Sequence, residues 1–362
     1  MKKIVLILAL LFPLASCKEG LLNAPPIVNI PNVETPAQIY YVKATNDQSS
    51  SDHYTFSVRK INSDGTNDRL IVDKAYITSP PRNGTLIYIL SNRDDDENTT
   101  VWISNDDGSN PKRLAKGYYH SAELSPDGTK AYLTTFNNSP LSKTVVVNTD
   151  GSGTEKTVAM NLEQETISSL SPDGKKMVFL QAAGGNKSNF AVVNSDGSNL
   201  HIDFSGTSIN NIRDTKFSWS VTGDDILFSG DDKLYLAIIS SKTIIDITPL
   251  NINCGAAVFS PYSTKILFSG SPTSKLFSKD LYEARSAGNP SIGKITNTNA
   301  FDEEYGEYLS DMAILYTKTT SKPGNSRDRL MSSTLNILDR TNGTTTDTFI
   351  AGSVYSFFFI RK

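Results

Sequence analysis

The feature that most constrains the fold of this chain is a four-strand unit that recurs about every 45 residues. One copy spans Ile167–Phe204, where Ser171-Pro172-Asp173-Gly174 turns the chain between the first two predicted strands and Asp196-Gly197 lies between the third and fourth. Asp-Gly favours tight turns, because glycine accepts a positive φ and the Asp side chain can bond the turn backbone. The third-to-fourth-strand turn has three more copies: Asp64-Gly65, Asp107-Gly108 and Asp150-Gly151.

The predicted second strand of the unit gives a longer register, with seven copies. They are Ile39–Tyr41, Leu86–Tyr88, Ala131–Leu133, Met177–Phe179, Ile226–Phe228, Ile266–Phe268 and Ile314–Tyr316. A four-stranded repeat of this length is typical of a β-propeller blade. We therefore predict an all-β, seven-bladed propeller of four-stranded antiparallel blades over residues 37–362. Six blades is the alternative, because blade five (Asp214–Thr248) is short and blade seven lacks the Ser-Pro-Asp-Gly turn.

The ends of the repeat region predict how the ring closes. The first copy begins directly at its second strand, Gln38–Val42, whereas Val354–Ile360 near the C-terminus resembles a first strand without its blade. Pairing of these two segments would complete blade one and cover an edge that could otherwise recruit another chain.

The N-terminus has the pattern of an export signal. Lys2-Lys3 precedes the apolar run Ile4–Leu14, which is too short to span a bilayer. The ending Leu14-Ala15-Ser16-Cys17 resembles the lipobox of bacterial lipoproteins, which implies removal of residues 1–16 and acylation of Cys17 with lipid such as palmitate; an ordinary signal peptide is the alternative. Residues 17–36 would form the anchor and a Pro-rich tether. By the same resemblance, Lys18 favours the outer membrane within the cell envelope.

Composition limits the partners. The formal net charge is −3, and it becomes about −5 once Lys2 and Lys3 are removed, so binding to nucleic acid is not expected. The chain has two cysteines, and with Cys17 acylated only Cys254 is left as a thiol, so no internal disulfide is expected. We expect a monomer in which Cys254 is a small buried apolar residue.

Blade two carries a resemblance to a known family. Ile87–Ala115, together with the turns at 125–128 and 171–174, resembles the repeat of TolB-type propellers, and the likeness extends over residues 37–362. The same repeat occurs in periplasmic TolB, in lipoproteins of unassigned role and in the gating domain of prolyl-oligopeptidase-type proteases, so it implies the fold and leaves the function open. Blades five to seven depart from it by lacking the paired Asp-Gly turns, and no TolB-like α/β domain precedes the repeats.

Motifs for catalysis or metal binding are missing from the sequence. It contains no H-E-x-x-H pair and no G-x-S-x-G elbow. The acidic run Asp94-Asp95-Asp96-Glu97 lacks the ligand spacing of a calcium loop. We therefore expect no metal and no cofactor.

The predicted propeller provides a funnel where the loops between blades meet at one mouth of the channel. Aromatic and Arg side chains are enriched in binding hot spots. The candidate ligand-binding residues of this funnel are Tyr119, His120, Arg213, Asp302, Glu303 and Tyr305. The acidic run that begins at Asp302 suggests a basic segment on the partner.

Two classes of function follow. The first is a membrane-anchored, non-catalytic lipoprotein that binds an envelope or extracellular protein or peptide at the funnel. The second is a propeller enzyme that acts on a glycan or a lactone through carboxylates such as Glu165 or Asp302.

Overall fold

The computed structural model describes most of the repeat region. The described residues are 37–46, 54–91, 99–135, 142–162, 168–182, 187–198, 201–204, 209–210, 216–274, 278–285, 292–298, 301–320, 332–341 and 345–360. The predictions for the signal segment, Cys17 and the tether lie outside these residues, as do those for Asp94–Glu97, Glu165 and Arg213.

The described strands form seven four-stranded antiparallel blades in a ring, which confirms the predicted fold class and the count of seven. Blade one has the order β29-β1-β2-β3. Its strands are β1 (Gln38–Asn46), β2 (Tyr54–Asn62), β3 (Arg69–Asp73) and the C-terminal β29 (Val354–Ile360). The predicted closure is confirmed, because β29 pairs antiparallel with β1 from Gln38 opposite Ile360 to Lys43 opposite Val354.

Blades two to four follow along the chain. Blade two contains β4 (Ala75–Tyr76), β5 (Thr85–Ser91), β6 (Thr99–Asn105) and β7 (Lys112–Gly117). Blade three contains β8 (Tyr119–Leu124), β9 (Lys130–Thr135), β10 (Ser142–Asn148) and β11 (Lys156–Leu162). Blade four contains β12 (Ser169–Leu170), β13 (Lys176–Ala182), β14 (Lys187–Asn194) and β15 (His201–Asp203), and the short β16 (Ile209–Asn210) also pairs with β14.

Blades five to seven complete the ring. Blade five contains β17 (Ser218–Trp219), β18 (Asp225–Gly230), β19 (Lys233–Ile238) and β20 (Thr243–Asp246). Blade six contains β21 (Ile252–Phe259), β22 (Lys265–Pro272), β23 (Asp280–Arg285) and β24 (Gly293–Lys294). Blade seven contains β25 (Phe301–Tyr308), β26 (Ala313–Thr320), β27 (Thr334–Asp339) and β28 (Thr346–Gly352). Blade five is short, and it is nevertheless a complete four-stranded blade.

The core lies between the facing sheets of neighbouring blades. The middle strands are buried on both sides, as every residue of β18 shows, whereas fourth strands such as β7 and β20 are mostly exposed. First strands lie at the inner end of each blade, and β8 is mostly buried there. One apolar cluster joins Leu315 and Leu335 of blade seven to Ile39 and Phe357 of blade one, so the ring also closes through side-chain burial.

The Ser-Pro-Asp-Gly sequence forms a turn whose side chains bond its own backbone. Ser125 Oγ donates to Asp127 Oδ1 at 2.6 Å, and the Lys130 N–H donates to Ser125 Oγ at 2.9 Å. The glycine of the next copy, Gly174, has a φ of 70°, and a Cβ there would lie 2.6 Å from Cδ of Pro126 in the preceding blade. The turn therefore fixes its own geometry and also the approach of the neighbouring blade.

The Asp-Gly turns between third and fourth strands also connect neighbouring blades. The Lys112 ammonium of blade two donates to the backbone carbonyl of Asp150 in blade three, and Lys156 of blade three donates to that of Asp196 in blade four. A local sequence signal therefore also specifies a contact between blades.

Candidate functional site

The strand order divides the connections of the ring between two faces. Because consecutive strands are antiparallel, the first-to-second and third-to-fourth turns lie on one face, which we call the turn face. The second-to-third and fourth-to-first connections lie on the opposite face, which we call the loop face. The predicted funnel is the channel mouth on the loop face.

Lys216 extends from blade five into the channel. It lies two residues before the first strand β17, and its Nζ is 5.5 Å from the ring centroid of Tyr305 in blade seven. The same nitrogen is 5.7 Å from the ring of Phe357 and 5.4 Å from the ring of Phe358, both in blade one. Blades seven and one are not neighbours of blade five in the ring, so this side chain must cross the channel to reach them.

The two phenylalanines show where the ammonium lies relative to β29. Consecutive residues of a strand point to opposite faces, and Phe357 and Phe358 indeed pack into different apolar clusters. A nitrogen at nearly equal distance from both rings therefore lies beside the edge of β29 that faces the channel. Burial lowers the pKa of Lys216, while the carboxylate of Glu307 acts in the opposite direction.

Tyr305 is presented at an irregularity in β25. The pairing of β25 with β26 shifts between Glu304 and Glu307, and Tyr305 has a φ of 50°. Bulges of this kind redirect side chains and are common beside functional sites. The irregularity thus helps to bring the tyrosine ring to the Lys216 ammonium, where cation–π attraction contributes roughly 0.5–2 kcal/mol.

Two large apolar side chains are exposed on the loop face. Leu250, in the connection between β20 and β21, is 91% exposed. Tyr355, at the start of β29, is 55% exposed, and its ring centroid lies 5.0 Å from that of Phe56 in β2. Tyrosine is among the residue types enriched in binding hot spots, so Tyr355 is a candidate for contact with a partner.

The predicted residues Tyr119 and His120 lie together at the start of β8. The Tyr119 side chain is buried in the apolar cluster between blades two and three, and its backbone N–H donates to Thr99 Oγ1 at 2.7 Å. His120 is half-buried. Tyr119 therefore contributes mainly to blade packing, and a ligand contact by either residue stays a prediction.

Two acidic residues of the predicted site, Asp302 and Glu303, are buried in blade seven. Asp302 is buried and accepts a hydrogen bond from the Lys279 N–H at 3.0 Å. Glu303 is fully buried and accepts hydrogen bonds from Thr296 Oγ1 at 3.1 Å and Thr298 Oγ1 at 2.7 Å. Polar groups of blade six therefore enclose both carboxylates, and their contact with a basic segment of a partner stays a prediction.

The enclosure of Glu303 also changes its pKa. Burial raises its pKa to about 7, even though the hydroxyls of Thr298 and Thr296 favour the carboxylate. The nearby Asp280 adds to the rise through charge repulsion. A buried carboxyl that titrates near neutrality links the packing of blades six and seven to pH.

The structure brings together only some of the predicted residues. Tyr305 lies in the channel with Lys216, whereas Asp302 and Glu303 lie between blades six and seven, and Tyr119 and His120 lie at the start of blade three. Lys216, Phe357, Phe358 and Leu250 were missing from the predicted set. The one available signal for Lys216 was a charged residue immediately before the Phe217–Trp219 segment.

Cys254 has a structural role. Cys254 is buried, and burial raises its pKa to about 12, so its thiol stays protonated at neutral pH. Among the described residues, no group of three His, Cys, Asp or Glu side chains could hold a metal ion. The described part of the chain also contains no helix that is long and apolar enough to cross a membrane.

Comparisons with known proteins identify the fold. No protein-family model matches the chain, and no curated protein matches it. The β-propeller domain of the Trilobed protease from Pyrococcus furiosus is 15% identical, with a TM-score of 0.58 over 86% of this chain and 94% of that chain. Acylaminoacyl peptidase from Pyrococcus horikoshii is 12% identical, with a TM-score of 0.58 over 86% of this chain and 50% of the peptidase.

TolB proteins are also among the matches. TolB from Acinetobacter baumannii is 16% identical, with a TM-score of 0.49 over 88% of this chain and 82% of that chain. Likeness at these identities concerns the fold alone. The chain has the seven-bladed propeller fold predicted from its sequence.

Proposed function

We propose that this chain is a membrane-anchored, non-catalytic propeller that binds a protein or peptide partner at the loop face. The observation that carries the proposal is the exposure of Leu250 and Tyr355 on the face where the Lys216 channel opens. Aromatic residues are enriched in protein-binding surfaces relative to the rest of the surface.

The anchoring part of the proposal rests on the sequence. The resemblance of residues 14–17 to a lipobox supports acylation of Cys17 and a position in the cell envelope, with the outer membrane favoured. A Cys17→Ala variant should lose palmitate labelling and leave the membrane fraction. Retention of the label by that variant would contradict the anchor.

The binding part can be tested with two matched double variants of the full-length lipidated chain. Leu250→Ser with Tyr355→Ser removes the exposed apolar groups of the loop face, whereas Val221→Ser with Met312→Ser removes comparable groups of the turn face, which are 40% and 44% exposed. Each variant is used as bait on detergent-solubilised envelope, and the recovered proteins are quantified against the unaltered chain. We expect a partner that is lost from the loop-face variant and kept by the turn-face variant. Equal recovery by both variants would contradict the proposal.

A further inference from the structure

We propose that Lys216 anchors a carboxylate of the partner inside the channel, and that this carboxylate belongs to an extended peptide segment that enters from the loop face. The inference depends on the proposed function for the peptide nature of the partner. Beyond that function, the inference names a carboxylate as the group that binds in the channel and Lys216 as the residue that binds it.

The charge of Lys216 favours binding of an anionic group. Among the described residues, no carboxylate oxygen lies within 4.0 Å of the Lys216 nitrogen, and the charged group that acts on it from a distance is Glu307. The side chain is only partly accessible. Within the part of the chain that the structure describes, this ammonium has lost water without gaining a close counter-ion, so a carboxylate that enters the channel would gain strongly from the contact.

Three aromatic rings surround the Lys216 nitrogen. The rings of Tyr305, Phe357 and Phe358 lie between 5.4 and 5.7 Å from the nitrogen. They exclude water from one side of the ammonium, and they offer apolar surface to whatever is attached to the carboxylate. The site therefore suits a carboxylate next to an apolar or aromatic group better than a small, fully hydrated anion.

The backbone of β29 beside Lys216 favours a peptide as the ligand. In the described sheets, β29 pairs with β1 on one side and is the edge strand on the other. The ammonium lies beside that inner edge, because Phe357 and Phe358 are equally close to it. Edge strands accept extended peptides through main-chain hydrogen bonds, so a peptide aligned with β29 would bring a carboxylate to Lys216.

The test uses three small probes that separate the possible sources of the carboxylate. N-acetyl-phenylalanine carries a terminal carboxylate beside an aromatic ring, N-acetyl-phenylalaninamide lacks the carboxylate, and N-acetyl-aspartyl-phenylalaninamide carries it on a side chain. Binding to the folded full-length chain is measured by ligand-observed NMR titration. We expect one or both carboxylate probes to bind at least tenfold more tightly than the amide, and the tighter one identifies the source as a chain terminus or an acidic side chain.

Variants assign the effect to the channel. Lys216→Met should remove the preference for the carboxylate while leaving the weak binding of the amide unchanged, and Lys216→Arg should keep most of it. Lys175→Met is the matched control, because that side chain is 81% exposed and lies on the turn face. It should bind all three probes as the unaltered chain does.

Two results would overturn the inference. One is that the unaltered chain binds the acid and amide probes with equal affinity, or binds none of them. This comparison does not depend on whether Lys216→Met folds. The other is a preference for carboxylate that survives in Lys216→Met. Neither result affects the recovery of a partner by the loop-face and turn-face variants, so failure of the inference is distinguishable from failure of the proposed function.

Discussion

The two faces of the propeller are built differently. On the turn face, short turns bond their own backbones and the neighbouring blade, as in the Ser125–Asp127 turn and the contact of Lys112 with the Asp150 carbonyl. On the loop face, Leu250 and Tyr355 are exposed, and Lys216 enters a channel lined by aromatic rings. The turn face therefore stabilises the ring, and the loop face presents groups that gain from a partner.

The contacts of the turn face are different in the blades that lack Asp-Gly turns. Between blades six and seven, Glu283 bonds Arg340 Nη2 at 3.1 Å, Lys265 Nζ at 3.1 Å and Tyr308 Oη at 3.0 Å. These contacts lower the pKa of Glu283 against the effect of its burial. A charged network thus takes over the role that glycine turns have in blades one to four.

The largest predicted effect is a pH dependence that arises from Glu303, which is buried between blades six and seven. Because burial raises the Glu303 pKa from 4.5 to about 7, the folded chain binds this proton more tightly than the unfolded chain. Its contribution is full below pH 4.5 and is lost as the pH rises through about 7, which amounts to about 3 kcal/mol. Urea unfolding at several pH values should show a smaller loss in Glu303→Gln. Glu304→Gln, whose carboxylate pairs with the half-exposed Lys279, should keep the full slope.

The second prediction concerns the charged network of the turn face. Glu283→Gln leaves Arg340 and Lys265 without their carboxylate, and we expect the free energy of unfolding at pH 7 to fall by about 2 kcal/mol. Glu155→Gln is the control, since its ion pair with Lys143 is 36–45% exposed and contributes less than about 1 kcal/mol. Equal losses would mean that blades six and seven do not depend on this network.

The third prediction separates backbone strain from blade packing within the turn face. Gly174 and Gly65 have φ values of 70° and 79°, so alanine is strained at both positions. A Cβ at Gly174 would also meet Pro126 at 2.6 Å, whereas a Cβ at Gly65 would meet no atom within 4 Å. Gly174→Ala should therefore destabilise the chain by about 1 kcal/mol more than Gly65→Ala. A difference near zero would show that this inter-blade contact is loose.

The smallest predicted effect on stability belongs to the loop face. Leu250 is 91% exposed, so Leu250→Ser should change the free energy of unfolding by less than about 0.5 kcal/mol. A turn-face residue with a buried side chain, Ser171, gives the contrast, because Ser171→Ala removes a 2.6 Å hydrogen bond to Asp173 and should cost about 1 kcal/mol. A large loss in Leu250→Ser would show that the loop face also supports the fold.

The blades and the closure of the ring could be predicted from the sequence. The blades were predictable because their turns are local: Ser125, Asp127 and Lys130 bond one another within a few residues. Closure was predictable because Val354–Ile360 is an apolar strand without a local partner. The turns depend on contacts between residues that are close in sequence, and the closure is required because an unpaired strand needs a partner.

The channel site and the buried carboxylates could not be predicted in this way. Lys216 meets Tyr305 and Phe357 only because the ring brings blades five, seven and one around a common axis. Glu303 looks like a surface charge in sequence, and only the packing of Thr296 and Thr298 shows that it is buried. Such contacts depend on the spatial order of the blades, which the repeat pattern does not specify at the level of side chains.

The most direct test of the central claim, that the loop face is the binding face, is site-specific photo-crosslinking in cells that make the full-length chain. A photoreactive benzoylphenylalanine replaces Leu250 or Tyr355 on the loop face, or Val221 or Met312 on the turn face, all of which are at least 40% exposed. The account predicts a discrete crosslinked partner from positions 250 and 355 and none from 221 and 312. Crosslinks that form from the turn-face positions and are missing from the loop-face positions would contradict it.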